Sequence, residues 1–149
     1  MKLFLTFCSI FIIIILINTS LQAGVNLNNS NYKDEVLNSQ EAWLIEYYSE
    51  MCGSCKQFSP IWENTVKNIK KLKIGRVNID DKQGMELANQ MGVLNEGIPC
   101  VRLVYGKNGE QETVMAGDIT NQNVFVNELK RKVGKYLSKS EEMYKREDL

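Results

Sequence analysis

The spacing of apolar residues predicts that strands and helices alternate along the middle of the chain. Residues 43–48 are apolar or aromatic apart from Glu46, which predicts a buried strand. Between residues 52 and 72 apolar side chains recur every three or four positions, which predicts a long amphipathic helix. Residues 73–79 predict the next strand and residues 82–91 the next helix.

The pattern then changes to that of a hairpin followed by one more helix. Residues 101–105 and 111–115 predict two strands around Gly106-Lys107-Asn108-Gly109, a composition typical of tight turns. Residues 120–137 predict the last helix, and Thr120 is its predicted N-cap. The apolar residues expected on its buried face are Val124, Phe125, Leu129, Val133 and Leu137.

This order of elements predicts an α/β fold. The strand–helix–strand passages favour parallel pairing, and the hairpin adds an antiparallel pair. The expected result is a mixed central β-sheet flanked by helices on both faces. Ahead of it, residues 32–37 predict a short helix, and the asparagine-rich residues 26–31 predict a loose N-terminal segment.

Composition narrows the chemistry that the chain can perform. Its 149 residues suffice for one domain, and its 18 basic residues are balanced by 18 acidic ones. No basic stripe suggests binding to nucleic acid. The sequence has no histidine, which excludes Ser-His and Cys-His catalysis and any zinc site that uses imidazole.

The N-terminus has the pattern of a secretory signal peptide. Lys2 precedes an apolar run at residues 3–17, and Ala23 ends a plausible cleavage site. A membrane anchor is the alternative, but the run is shorter than the roughly 20 residues that a span needs. We therefore expect a signal peptide at residues 1–23, a folded domain at residues 24–137 and no stable membrane span after cleavage. Asn28-Asn29-Ser30 also has the form of an N-glycosylation acceptor.

The C-terminus is a polar tail, residues 138–149, that ends in Arg146-Glu147-Asp148-Leu149. This tetrapeptide is similar to the Lys-Asp-Glu-Leu signal that retrieves proteins to the endoplasmic reticulum. It keeps the sign of each charge and the terminal leucine, although the side-chain lengths differ. The sequence therefore predicts the lumen of the endoplasmic reticulum, with secretion as the alternative.

Cys52-Gly53-Ser54-Cys55 lies between a predicted buried strand and the start of a predicted helix. Free backbone N–H groups and the dipole at a helix N-terminus stabilise a thiolate, which is the form that attacks disulfides. A second cysteine one turn later can then close a disulfide with the first. One alternative is half of a zinc site, for which only Cys100 and carboxylates could supply the two further ligands. The other is a structural disulfide, which would restrain only a very short loop.

The region around this motif resembles the active site of thioredoxins and protein disulfide isomerases. Further along the chain, Pro60 matches the helix-kinking proline of that superfamily. Gly97-Ile98-Pro99 matches the loop that carries its cis-proline, and Gly117 matches the glycine before its last helix. The resemblance covers residues 32–137 and implies a thioredoxin fold.

The resemblance also implies roles for individual residues. Cys52 would be the exposed attacking thiol and Cys55 the buried resolving thiol, and the two would form the redox-active disulfide. Glu46 would be the buried acid that exchanges a proton with Cys55, unless it is a strand residue that faces solvent. Arg76 would be the basic partner of that acid, unless it is an exposed strand residue. The residues expected to contact substrate are Met51, Gly53, Ser54, Ile98 and Pro99.

Several positions depart from the pattern of the family. Met51 and Ser54 replace its tryptophan and its histidine or proline, and Ser54 predicts a weaker oxidant than a typical isomerase. Asp118 occupies the position of a mobile arginine, a role left vacant unless Arg102 or another residue fills it. Cys100, beside the proline loop and so expected near the cysteine pair, is either a third redox thiol or an inert buried residue.

The leading hypothesis is a thiol–disulfide oxidoreductase or isomerase that acts on disulfide- or thiol-bearing proteins of the secretory pathway. It needs no metal or cofactor, but it does need a redox partner such as glutathione, an oxidase or a reductase. The alternatives are a dedicated reductase of the endoplasmic reticulum and a non-catalytic, client-binding thioredoxin-like module.

Overall fold

The fold is built on one mixed sheet of five strands. A computed structural model describes residues 24–105 and 109–147, with side chains as far as Ser138. The strands lie in the order β1-β3-β2-β4-β5. Their bounds are Val25–Asn26 (β1), Trp43–Tyr48 (β2), Lys73–Asn78 (β3), Cys100–Tyr105 (β4) and Glu110–Ala116 (β5).

Pairing within the sheet confirms the predicted mixture of parallel and antiparallel strands. β1 and β2 both run parallel to β3, whereas β2 pairs antiparallel with β4 and β4 with β5. The carboxyl ends of the parallel strands therefore meet at one edge of the sheet. The hairpin is also confirmed, and Gly109 at its turn has a φ of 64°, which favours glycine.

Helices cover both faces of the sheet, as the element order predicts. Helix α1 spans Gly53–Val66, α2 spans Lys82–Gln90 and α3 spans Gln122–Glu147. Single helical turns lie at Lys33–Leu37 and Val93–Asn95. Two apolar clusters show the layers, because side chains of α1 and α3 pack on one face of the sheet. Side chains of α2 and of both helical turns pack on the other face.

Helix α1 ends earlier than the apolar pattern predicts. It stops at Val66, and the backbone N–H groups of Asn68 and Ile69 bond to carbonyls three residues back, which tightens the chain into turns. Leu72 is nevertheless buried in the same cluster as Val66. The apolar spacing up to residue 72 therefore reflects burial on one core rather than a continuous helix.

Helix α3 differs from its prediction at both ends. Asn121, not Thr120, caps it, because the Asn121 Oδ1 accepts hydrogen bonds from the N–H groups of Asn123 (3.0 Å) and Val124 (3.2 Å). Val124 is 52% exposed and so does not belong to the buried face. At the other end the helix continues to Glu147, ten residues beyond its predicted end at residue 137.

The segment at residues 26–31 is not loose. Asn26 belongs to β1, and the N–H of Leu27 continues the pairing by donating to the Arg76 carbonyl at 2.8 Å. Leu27 is buried against Gly75, where a Cβ would lie 2.4 Å from the Leu27 Cδ1. Glycine at position 75 therefore leaves room for the Leu27 side chain to pack beside β3.

Three predicted features lie outside the described residues: the signal peptide at residues 1–23, the centre of the hairpin turn at residues 106–108, and the last two residues of the terminal tetrapeptide. Within the described part of the chain, no helix combines the length and the apolar character that a membrane span requires.

Candidate active site

The cysteine pair lies where β2 gives way to helix α1. Cys52 is the N-cap of α1, and its Sγ accepts a hydrogen bond from the Cys55 N–H at 3.1 Å. The two cysteines are joined as a disulfide, with their Cα atoms 5.2 Å apart. Cys55 is buried, whereas Cys52 is partly exposed. The sulfur available to an incoming substrate is therefore the one at the helix N-terminus.

The loop that leads into Cys52 is held by a carboxylate from β3's carboxyl end. The two oxygens of Asp80 accept hydrogen bonds from the Ser49 hydroxyl (2.6 Å) and the Glu50 N–H (2.7 Å). The Ser49 hydroxyl in turn accepts from the Met51 N–H at 3.0 Å. Sequence reasoning missed this clamp. Its only signal is that Asp80 lies two residues after the end of β3, the strand parallel to β2.

The proline loop lies directly beside the pair. The Ile98–Pro99 peptide bond is cis, as the resemblance implies. The Ile98 carbonyl oxygen lies 3.9 Å from the Cys52 Sγ and accepts a hydrogen bond from the Ser54 hydroxyl at 3.4 Å. The Ser54 Oγ is also 3.3 Å from the Cys52 Sγ. Ser54 thus connects the Cys52 sulfur to the loop.

The surface beside Cys52 is open on the side of Met51, which is 86% exposed. Gly53 is also exposed, and a Cβ built there would meet no atom within 4 Å. Pro99 is buried. An extended peptide can therefore approach the disulfide between Met51 and the backbone of Ile98.

Glu46 is a fully buried carboxylate with one partner. The Arg76 Nε donates to its Oε2 at 2.7 Å, and its Oε1 has no hydrogen-bond partner among the described residues. Burial raises the pKa of Glu46, while the Arg76 charge opposes that shift. Along β2, Glu46 shares a face with Leu44, which packs in the same cluster as helix α1. The carboxyl therefore lies in the layer that carries Cys55.

Arg76 is only partly exposed, at 24% of its side chain, and it connects two groups. Besides pairing with Glu46, its guanidinium carbon lies 4.2 Å from the centre of the Tyr48 ring, a cation–π contact. The structure thus brings Glu46 and Arg76 together and contradicts the alternative in which each faces solvent by itself.

Cys100 and Arg102 lie on the opposite face of the sheet. Cys100 is fully buried in the cluster that includes α2, and burial raises the pKa of its thiol. The Arg102 Nη2 donates to Glu96 Oε1 at 2.8 Å and to the Met91 carbonyl at 3.3 Å. Cys100 is therefore closed off from solvent. Arg102 is tied to the loop ahead of Pro99 and does not take the place of the family's mobile arginine.

The geometry suits disulfide exchange. A thiolate at Cys52 would face free N–H groups and the positive end of the helix dipole, which stabilise its negative charge. In the oxidised protein the Cys52 sulfur is partly exposed, so a thiolate from solvent could attack the disulfide at that sulfur. Among the described residues, no three His, Cys, Asp or Glu side chains form a group that could hold a metal ion.

Comparison with known proteins places these features in a family. The family model "Thioredoxin" matches residues 23–131. The chain is 36% identical over 87 residues to protein disulfide-isomerase like 2-2 of Arabidopsis thaliana, covering 58% of this chain and 18% of that protein. It is 30% identical over 111 residues to protein disulfide-isomerase A6 of Mus musculus, covering 74% of this chain and 24% of that protein.

Two further similarities concern proteins of comparable size. A thioredoxin of Rickettsia felis is 34% identical over 93 residues, covering 62% of this chain and 83% of that protein. The crystal structure of the Trx4 domain of ERdj5 superposes with a TM-score of 0.61 at 21% identity, covering 75% of this chain and 96% of that domain. At that identity it supports the fold alone. The chain spans only about a fifth of the two isomerases. With the family match, the mixed sheet and the disulfide at the start of α1, the chain belongs to the thioredoxin family.

Proposed function

We propose that this chain is a thiol–disulfide oxidoreductase of the isomerase type that acts on proteins through Cys52 and Cys55. The observation that carries the proposal is the disulfide at the N-terminus of α1, with Cys52 partly exposed and Cys55 buried. This asymmetry gives the two sulfurs different tasks. One meets the substrate, and the other is reached only from within the protein.

The proposed reaction proceeds in two exchanges. In the reduced protein the Cys52 thiolate attacks one sulfur of a client disulfide, forms a mixed disulfide and releases the other client sulfur as a thiolate. Cys55 then loses its proton and attacks Cys52, which restores the Cys52–Cys55 disulfide and releases the reduced client. In the opposite direction the oxidised pair passes its disulfide to a client dithiol.

Glu46 is the proposed acceptor of the Cys55 proton. Because burial raises its pKa, the carboxyl holds a proton more readily near neutral pH than an exposed glutamate does. The Arg76 charge limits the rise of the Glu46 pKa, and its Nε donates a hydrogen bond to Oε2. The other carboxylate oxygen, Oε1, has no hydrogen-bond partner among the described residues. The pair therefore supports a group that can both take up and return a proton.

Client binding is proposed to use the open surface beside the pair. Main-chain pairing with the Ile98–Pro99 loop would hold an extended client strand, and Met51 would contact its side chains. Gly53 and Ser54 leave room for the client backbone near Cys52. Such contacts carry little sequence information, so the proposed surface could bind clients of different sequence.

The proposed location is the lumen of the endoplasmic reticulum, with secretion as the alternative. The arguments are the signal-like residues 1–23, the terminal Arg-Glu-Asp-Leu and the isomerase relatives. There the pair would exchange electrons with glutathione, an oxidase or a reductase. The proposal also includes a folded domain at residues 24–137, followed by a polar tail at residues 138–149.

One observation favours a second candidate, a dedicated disulfide reductase. Asp118 is exposed at the position of the family's mobile arginine, and Arg102 is held by Glu96 on the other face. Neither Asp118 nor the paired Arg102 can act as that mobile arginine and promote reoxidation of the cysteine pair, so reduction of clients becomes the easier direction.

The deciding experiment is to measure the reduction potential of the pair by equilibrating the protein with glutathione. A value of about −200 mV supports an oxidase or isomerase, and a value of about −270 mV supports the reductase. A variant with both cysteines changed to serine serves as the control. If the wild-type pair shows no exchange, the enzyme proposal is wrong, and a client-binding module takes its place.

A further inference from the structure

The catalytic proposal leaves one sequence motif unused. Asn28-Asn29-Ser30 is the only Asn-X-Ser/Thr triplet in the sequence after residue 23. Its middle residue is not proline, as N-glycosylation requires. The triplet follows the two-residue edge strand β1 and precedes the helical turn at Lys33–Leu37. It therefore lies in a connection at the rim of the sheet.

The three residues fold back on themselves so that the serine meets the asparagine amide. The Asn28 Oδ1 accepts hydrogen bonds from the Ser30 N–H at 2.9 Å and from the Ser30 hydroxyl at 2.6 Å. Both bonds draw electron density toward Oδ1, which makes an Nδ2 proton easier to remove. Within the described part of the chain, Nδ2 itself donates to no group.

The turn stays accessible in the folded protein. Asn29 and Ser30 are exposed, and Asn28 is partly exposed. No strand lies beyond β1 in the described sheet, so nothing of the sheet covers this side. The backbone is fixed independently of the Asn28 amide, because the Asn29 N–H donates to the Gln83 carbonyl at 3.2 Å. A group attached to Nδ2 can therefore extend into solvent without displacing the core.

From the motif, the turn and its exposure, we propose that Asn28 is an N-glycosylation site of this protein. The proposal rests on entry into the secretory pathway, which is part of the proposed function. The donor is an oligosaccharide linked to a lipid through a diphosphate. The bond from Nδ2 to the first sugar carbon forms, the bond from that carbon to the diphosphate oxygen breaks, and the amide loses one proton as the lipid diphosphate leaves.

The test is to express the full chain in secretory eukaryotic cells and to digest it with peptide N-glycosidase. The wild type is expected to lose the mass of one glycan. Asn28→Gln and Ser30→Ala should run unglycosylated, whereas Ser30→Thr keeps the hydroxyl and should remain glycosylated. Disulfide exchange by the bacterially produced Asn28→Gln variant shows that the variant folds.

A second acceptor separates failure of the site from failure of the location. Lys70→Thr completes a new triplet that begins at Asn68, and positions 68 and 70 are exposed in the turn after α1. One glycan on the wild type and two on Lys70→Thr support the proposal. A glycan on Lys70→Thr alone, or one that persists in Asn28→Gln, overturns the Asn28 site but leaves the secretory location standing. No glycan on either chain overturns both.

Discussion

The Ser54 hydroxyl offers the sharpest test of how this active site sets its redox balance. In the oxidised protein the Ser54 Oγ lies 3.3 Å from the Cys52 Sγ and 3.4 Å from the Ile98 carbonyl oxygen. When the pair is reduced, the hydroxyl can turn its proton from the carbonyl to the Cys52 thiolate. Ser54→Ala removes both interactions and leaves the helix N-cap in place.

The size of the effect follows from the two bonds. In the reduced protein, the hydrogen bond to the partly exposed Cys52 thiolate contributes about 1.5 kcal/mol, the low end for a bond to a charged group. In the oxidised protein, the long neutral bond to the Ile98 carbonyl contributes about 0.5 kcal/mol. Ser54 therefore favours the reduced form by about 1 kcal/mol. Because about 1.4 kcal/mol corresponds to 30 mV for a two-electron couple, Ser54→Ala should lower the reduction potential by about 20 mV.

The assay is equilibration of wild type and variant with glutathione at several ratios of reduced to oxidised glutathione. Alkylation of the reduced pair across a pH series provides a second readout, because the alanine variant should hold about fivefold less thiolate at the same pH. Ser59→Ala is the matched control, since that hydroxyl donates to Glu63 on the exposed side of α1, away from the cysteine pair. A potential unchanged within a few millivolts, or one that rises, would refute the reasoning.

Three further predictions concern the buried groups of the fold. Burial raises the Glu46 pKa above its ordinary 4.5, so the free energy of unfolding should fall as the pH rises from about 4.5 to the folded pKa. In urea titrations, Glu46→Gln should abolish that fall. The same variant should resolve a mixed disulfide about 100-fold more slowly, and an unchanged rate would contradict the role of Glu46 as proton acceptor. Gly84→Ala places a Cβ 1.9 Å from a backbone oxygen and should destabilise the protein by about 3 kcal/mol in the same titrations. Gly134→Ala, which meets no atom within 4 Å, should instead stabilise it slightly, and similar results for both would refute the steric argument. Cys100→Ala should leave the exchange rate within about twofold of wild type, whereas a large loss would show that Cys100 takes part in exchange.

The sequence predicts the central sheet well because β2 and β4 are apolar runs and the hairpin turn carries glycine. It fails where a boundary depends on something other than apolar spacing. The apolar period continues to Leu72 although α1 ends at Val66, since both residues pack on one core. β1 is two residues long and has no period to detect. Thr120 and Asn121 are both suitable caps, and only the geometry selects the second.

The candidate site divides in the same way. The sequence locates the cysteine pair and Ser54 because they lie in one motif of four residues. It locates the cis-proline through the resemblance to the family. The clamp of Asp80 on the active-site loop joins residues about 30 positions apart. The ion pair of Arg102 with Glu96 likewise depends on how β4 meets the preceding loop. Such contacts have no local pattern and become visible only in the fold.

The burial of Cys100 has a practical consequence for identifying clients. Among the described cysteines, only Cys52 and Cys55 could offer a thiol to a client, since Cys100 is closed off in the core. A Cys55→Ser variant would then present one reactive sulfur and no resolving partner. Clients would stay attached through a single covalent link, so each captured complex would contain one client molecule joined at Cys52. The single-cysteine variant could therefore trap clients for identification by mass spectrometry without any need to mutate Cys100.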